Sequence, residues 1–327
     1  MTDHILRHGL DRRRFIKSGA IAAASAALAR APATAAARKR IGVGQPDRTA
    51  DFYHGFINAV HQEADKLGYD ILESFSGAAP EAQMSELNAW IAAGVDALVV
   101  MPSDPNAIGG VVKRCKDKGI VFIGYANIVP GADGYMKWDD PSAGTAMGEL
   151  IVKHIKEKLG GKAEIAMLTL PTNQATRDRI GFSKAAIQKA LPDTTFWETQ
   201  AVLAPEALKA TQSLLQAHPN IKVVVCCADD GALGARSAYQ NSGLSPDNVF
   251  ICGWDGSKQN LNLIKQKDKF IQASAALDIT EVGHTVVDIP DRVFKHAGPT
   301  EVLIPYVMVT PQTDTGVIDR LLKVYEV

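Results

Sequence analysis

The chain has 327 residues, 46 % hydrophobic and 22 % charged, an ordinary globular composition with ample apolar material for a core. The length suits two domains of about 150 residues each. Residues 1–37 hold six of the 35 Lys+Arg and two of the 36 Asp+Glu, so the remainder is mildly acidic, 29 basic against 34 acidic residues, and without basic clusters it excludes nucleic acid as the expected partner.

The first segment reads as an address. Asp11-Arg12-Arg13-Arg14-Phe15-Ile16-Lys17 precedes a short apolar stretch, Ile21 to Ala29, and then Ala33-Thr34-Ala35-Ala36-Ala37. A basic region, an apolar run and an A-x-A site define a secretory signal. The paired arginines before x-Phe-Ile-Lys resemble a twin-arginine export signal. The run is shorter than the ~20 residues that span a membrane. Cleavage near Ala35 or Ala37 is expected, giving a mature chain from about Arg38 in the periplasm. Cys115, Cys226, Cys227 and Cys252 contain no C-x-x-C spacing. A chain this long needs no disulfide staples, so buried free thiols are the favoured reading over a Cys226–Cys252 bond.

Apolar runs and amphipathic stretches then alternate. Strands are predicted at Arg40–Gln45, Tyr69–Phe75, Val95–Met101 and Ile120–Tyr125, with helices at Asp51–Leu67, Pro80–Ala92 and Pro105–Lys118 between them. The rhythm restarts with helices at Pro141–Leu159, Arg177–Leu191, Pro205–Ala217 and Asp230–Asn241, and strands at Ala163–Leu170, Thr195–Val202, Ile221–Ala228 and Val249–Trp254. Gly68, Gly94, Gly119 and Gly243 follow predicted helices, where a left-handed closing residue belongs. Continuous apolar runs such as Ala97–Val100 and Val223–Val225 suit parallel strands covered on both faces. The fold class is therefore α/β, two doubly wound parallel-sheet lobes, with ligand expected beyond the carboxyl ends of the strands.

No His-Glu-x-x-His helix, P-loop or Gly-x-Ser-x-Gly elbow is present, and the eight histidines are scattered, so neither catalysis nor a metal or other cofactor is expected. Gly42-Val43-Gly44 lacks the third glycine of a dinucleotide loop, Asp47 standing in its place. The strand-end loops instead gather Asp47, Arg48, Phe52, Tyr53, Asn127, Asn173, Arg177, Arg179, Asp229, Asp230 and Asp255. Planar aromatics stack on the apolar faces of sugar rings, while Asp, Asn and Arg make fixed hydrogen bonds to hydroxyls. Each polar residue alone reads equally well as a helix cap or a solvated loop, Asp230 as the cap of a helix from Gly231. The joint placement is what points to a sugar.

Several strings resemble the ribose-binding-protein family of type I periplasmic binding proteins, which serve sugar ABC transporters: Glu63–Tyr69, Met101–Ala107, Leu214–Pro219, Asp229–Ala235 and Gly253-Trp254-Asp255-Gly256. The likeness runs from about Arg40 to about Thr310. It implies two lobes joined by a three-strand hinge, with crossovers near Asn127–Asp140, Trp254–Ala276 and Ile304–Val309. The lobes would be 38–139 with 277–305, and 140–276 with 306–327. It places Phe52 and Tyr53 at the sugar-stacking pair, Asp229 at a position often Asn or Asp, Asp255 at a ligand-binding Asp, and either Arg177 or Arg179 at the ligand arginine. Ala126 and Asn127 stand where ribose binders have an Asp-Arg pair, Ala50 replaces an asparagine and Ala276 a glutamine, so a ligand other than ribose is expected; Trp138 and Asp139 are candidates to compensate.

The resemblance implies a monomer that binds a monosaccharide or polyol between the lobes, closes about the hinge and docks on an ABC permease. The alternative is a sensor whose closed form engages a receptor kinase or chemoreceptor. A sugar-responsive repressor would need a helix-turn-helix where this chain has its export signal.

Overall fold

The computed structural model describes residues 37–45, 51–76, 79–104 and 107–326, with the backbone alone for Asp51 and Phe52. The export-signal reading of residues 1–36, and the positions of Asp47, Arg48 and Ala50, lie outside the described residues. From Arg38 onward the chain is one compact unit.

Two six-stranded sheets stand within that unit. The first is built from β1 (Arg40–Gln45), β2 (Asp70–Phe75), β3 (Ala97–Val100), β4 (Val121–Tyr125) and β5 (Gly134–Trp138), with α1 (Asp51–Leu67), α2 (Pro80–Ala93) and α3 (Gly109–Asp117) between its earlier strands. After α4 (Asp140–Lys158) come β6 (Glu164–Thr169), α5 (Gln174–Ala190), β7 (Thr195–Gln200), α6 (Ala204–Ala217), β8 (Val223–Cys226), α7 (Asp229–Ser242), β9 (Phe250–Asp255), α8 (Lys258–Lys265) and β10 (Ile271–Ala276). The chain ends with α9 (Ile279–Lys295), β11 (Glu301–Ile304), β12 (Val307–Val309), α10 (Thr315–Leu322) and a 3-10 turn, Lys323–Tyr325. The first sheet runs β11-β5-β4-β3-β1-β2, all parallel; the second runs β12-β10-β9-β8-β6-β7, parallel except for β12. The chain thus passes from the first sheet to the second after Trp138, leaves the second after Ala276, and passes between them again from Ile304 to Val307.

Burial explains the runs. β3 and β8 are buried at every position because helices cover both faces of each sheet. Each sheet carries one apolar cluster per face. Phe56, Val60 and Val286 fill one side of the first, and Leu87, Val111 and Phe122 the other. Ala232, Tyr239 and Ile318 pack on one side of the second sheet, and Met147, Ile180 and Trp254 on the other. The predicted elements up to Trp254 are present within a few residues of their expected ends, and all four predicted closing glycines have positive φ. β5 is the addition. Its sequence, Gly134-Tyr-Met-Lys-Trp138, alternates buried and half-buried positions instead of forming an apolar run. All four cysteines are buried and unbonded, Cys226 on β8 and Cys252 on the adjacent β9.

Helix α5 begins beyond the carboxyl end of β6, and two glycines of α4 set its distance from that helix. A Cβ on Gly144 would stand 2.9 Å from the Arg179 carbonyl oxygen; one on Gly148 would stand 2.7 Å from both Ala186 Cβ and the Ser183 carbonyl oxygen. Those separations are below normal contact, so any side chain there forces the helices apart. By contrast, a Cβ on Gly181 of α5 meets nothing within 4 Å. Gly148→Val should therefore lower unfolding free energy by roughly 1–3 kcal/mol, while Gly181→Ala should raise it by up to about 1 kcal/mol. Urea unfolding followed by circular dichroism tests the contrast; equal effects would mean the α4–α5 contact is not tight.

Candidate functional site

The carboxyl ends of both sheets open on one cavity of about 360 Å³. From the first sheet come Tyr53 on α1, Met101 after β3, Tyr125 ending β4, Ala126 and Asn127 in the next loop, and Trp138 ending β5. From the second come Asn173, Ala175, Thr176 and Arg179 at the start of α5, Val202 after β7, Cys227 and Ala228 after β8, and Asp255 ending β9. Leu277 lies just past β10.

The two walls differ in chemistry. The first is aromatic. Tyr125 stacks on Phe56 with centroids 5.2 Å apart and meets Trp138 edge-on at 5.7 Å. These contacts fix the rings as rigid planes. The Tyr125 hydroxyl is buried yet has no hydrogen-bond partner among the described residues. Burial, then the nearby Tyr53 and Asp255, push its ionisation well above the usual phenol range, so it stays a neutral donor.

The second wall is charged. Arg179 is 6 % exposed. Its Nε donates to Asp140 Oδ1 at 2.9 Å, Nη1 to the Cys227 carbonyl at 3.0 Å and Nη2 to the Tyr306 hydroxyl at 2.8 Å. Asp255 Oδ1 lies 2.9 Å from Nη1 as an ion pair. Burial alone would lower the arginine's proton affinity, but Asp255, Tyr306 and Asp140 together raise it well above its ordinary value, so the charge is permanent. Asp255 holds φ +94° and Gly256 φ +75°. A non-glycine residue there costs about 1–3 kcal/mol, strain of the kind that collects at binding sites.

The residues expected from sequence divide. Tyr53, Asn127, Asn173, Arg179 and Asp255 line the cavity. Asn173 also caps α5, its Oδ1 accepting from Thr176 N at 3.1 Å. Phe52 belongs to α1, but its side chain lies outside the described residues. Arg177 is exposed and away from the cavity, with Nη1 donating to the Pro171 carbonyl at 2.6 Å and Nη2 to Gln174. Half a turn separates it from Arg179, and only the latter faces inward. Asp229 is buried behind the cavity wall at 2 % exposure; its carboxylate accepts from Ser257 N at 2.7 Å and Ser274 Oγ at 2.8 Å. Asp230 sits inside the first turn of α7, whose cap is Ala228. Sequence reasoning passed over Tyr125, Met101, Val202, Cys227 and Thr176. Their signal was position, each at or just beyond a strand's carboxyl end or in the helix turn after it.

Residues 41–296 match the family described as periplasmic binding protein domain. The chain belongs to that family. Among curated relatives of this binding protein is the ribose import binding protein RbsB of Bacillus subtilis (strain 168), 28 % identical over 267 residues, covering 80 % of this chain and 84 % of that one. Another is the xylitol-binding protein of Mycolicibacterium smegmatis, 28 % identical over 240 residues, covering 70 % and 65 %. The same fold is seen in an ABC transporter periplasmic solute binding protein from Actinobacillus succinogenes 130z with bound D-allose, at TM-score 0.77, 20 % identity and 84 % and 98 % coverage. A Bacillus halodurans C-125 solute binding protein with bound myo-inositol matches at TM-score 0.75, 21 % identity and 88 % and 98 % coverage. No helix among the described residues is long and apolar enough to cross a membrane.

Asp229 gives this binding protein a pH signature. Burial, then the Asp255 charge, push its carboxyl up from 3.8 to about 7. Between those values the folded chain holds a proton that the unfolded chain has released. This group's contribution therefore falls as pH rises from 3.8 toward about 7, then levels off. An amide fits the same partners, its oxygen accepting from Ser257 N and its nitrogen donating to Ser274 Oγ. Asp229→Asn should flatten that stretch of the stability–pH curve and be at least as stable as the native chain at pH 8. A variant curve that keeps the native slope would refute the assignment.

Proposed function

We propose that this chain is the periplasmic solute-binding component of an ABC importer, capturing a monosaccharide or polyol between its two sheets. The observation that carries the reading is the cavity, with Tyr53, Tyr125 and Trp138 opposite Arg179 and Asp255. Stacking planes facing charge-fixed hydrogen-bonding groups suit a ring or chain of hydroxyls. The relatives' names and bound molecules, ribose, xylitol, D-allose and myo-inositol, fall in the same chemical class. Ribose is disfavoured here because Ala126 and Asn127 replace a charged pair of the family.

In this reading the lobes are 38–139 with 277–305, and 140–276 with 306–327, and they close about three crossing segments. Each lobe contributes one wall, so ligand binds the closed form better and shifts the population toward it. The closed monomer then presents both lobes to the permease. Residues 1–37 direct export by the twin-arginine route. No bond in the ligand is made or broken, and no cofactor or nucleic acid takes part.

A thermal-shift screen of the chain from Arg38, against pentoses, hexoses, polyols and amino acids, tests the proposal. At about 100 times Kd a ligand should raise Tm by roughly 5 °C. The shift should vanish in Asp255→Ala and weaken in Tyr125→Phe, which leaves the ring and removes the buried hydroxyl. A shift with amino acids alone would overturn the carbohydrate assignment, and a sugar shift that survives Asp255→Ala would move the site elsewhere.

A further inference from the structure

Arg179 has five N–H groups. Three donate to protein oxygens on Asp140, Cys227 and Tyr306, and Asp255 pairs with Nη1. With Cys227 and Asp255 both on Nη1, the second N–H of Nη2 is all that remains for the cavity, and its direction is set by the partners of the others. Two of those partners stand apart from the sheet ends. Asp140 is the first residue of α4, two residues beyond the end of β5, where the chain leaves the first sheet. Tyr306 lies in the two-residue link from β11 of the first sheet to β12 of the second. The Tyr306 hydroxyl also donates to Asp140 Oδ1 at 2.8 Å, so the three side chains close a triangle. The Tyr306 ring packs against apolar clusters of both sheets.

We infer that Tyr306 and Asp140 are positioning residues for ligand capture, holding the Arg179 guanidinium and through it Asp255, and tying both to two of the segments that cross between the sheets. The inference rests on the cavity being the ligand site. It adds that affinity is set partly by residues absent from the cavity wall. Neither Tyr306 nor Asp140 lines it. Both touch the arginine from behind, on segments that must bend when the lobes move. A shift of either segment is transmitted to the guanidinium by a 2.8–2.9 Å hydrogen bond. Asp140 is unusual for a helix start. Asp139 supplies the cap, accepting from Ser142 N, while the next carboxylate is buried and committed to Arg179 and Tyr306. Burial pushes the Asp140 carboxyl up, and Arg179 and Tyr306 oppose that.

The test uses the purified protein and Tyr306→Phe, which keeps the ring that packs on both sheets and deletes the hydroxyl. Without ligand, the Arg179 Nε–H proton resonance should shift and exchange faster with water in the variant. An unchanged resonance overturns the proposal whatever the protein binds. With D-allose, xylitol, myo-inositol and D-ribose as probes, Tyr306→Phe should weaken the tightest by about tenfold. Arg179→Lys should weaken it further, and the double variant should be no weaker than Arg179→Lys alone, the signature of one residue acting through the other. Effects that multiply would mean that Tyr306 acts independently, and would overturn the inference. Asp140→Asn, whose amide oxygen still accepts from Nε, should recover most of the affinity lost in Asp140→Ala; equal losses count against positioning. If none of the probes binds the native protein, the resonance still decides whether Tyr306 holds the arginine.

Discussion

A permanently charged guanidinium, 6 % exposed, is the constraint around which the site is organised. Removing such a charge from water costs several kcal/mol unless partners and hydrogen bonds surround it. The fold meets that cost by drawing four elements to one point: α4 through Asp140, β9 through Asp255, the end of β8 through the Cys227 carbonyl and the β11–β12 link through Tyr306. Gly144 permits it, since a side chain there would meet the Arg179 backbone itself. Helix packing, strand register and charge compensation are thus one problem. A change in any of the four elements leaves part of a buried charge uncompensated.

The strain at Asp255 arises from the same demand. The chain leaves β9 in a left-handed conformation, continued by Gly256, where a Cβ would come within 2.5 Å of Ala276 Cβ. That close passage keeps β9 and β10 in register at their carboxyl ends and turns the Asp255 carboxylate toward the arginine. Behind it, Asp229 accepts from Ser257 and Ser274 and fastens the segment after Asp255 to β10. Asp229 is therefore tied to the cavity by neighbouring Asp255 rather than by exposure to it.

The fold was legible because its central strands, such as β3 and β8, are covered on both faces and so appear as unbroken apolar runs. β5 was not, because Gly134, Met136 and Trp138 are buried while Tyr135 and Lys137 are half-buried. The site was legible where a polar side chain sits at or just past a strand's carboxyl end, as at Asp255, the last residue of β9, and Asn127, two residues beyond β4. Arg177 and Arg179 could not be separated from sequence, since two residues on a helix differ by about 200° in direction and nothing local marks the inner face. Tyr125 was read as the end of an apolar strand, which it also is; its hydroxyl gains meaning only when it is seen, beside Phe56 and Trp138, to have no partner among the described residues. Tyr306 and Asp140 fell inside the crossover ranges implied by resemblance, but a contact spanning 127 residues, from Arg179 to Tyr306, leaves no trace in local sequence.

These features together bear on discrimination among ligands. A buried hydroxyl without a partner costs about 1–3 kcal/mol. In the proposed reading Tyr125 therefore favours a ligand that presents an acceptor at that point, against the rigid face formed by its own ring and Trp138. Across the cavity the arginine keeps one N–H, on Nη2, with the others committed, so in the same reading it too rewards one placement of oxygen. A site built from unpaired, immobile polar groups rejects near-isosteres that lack the matching atom far more strongly than an apolar pocket does. In the proposed reading, with Ala126 and Asn127 in the β4 loop, the demand for hydroxyls falls on Tyr125, Arg179 and Asp255. Stereochemistry at the ligand positions those three residues meet, more than ring size, is what such a cavity would select.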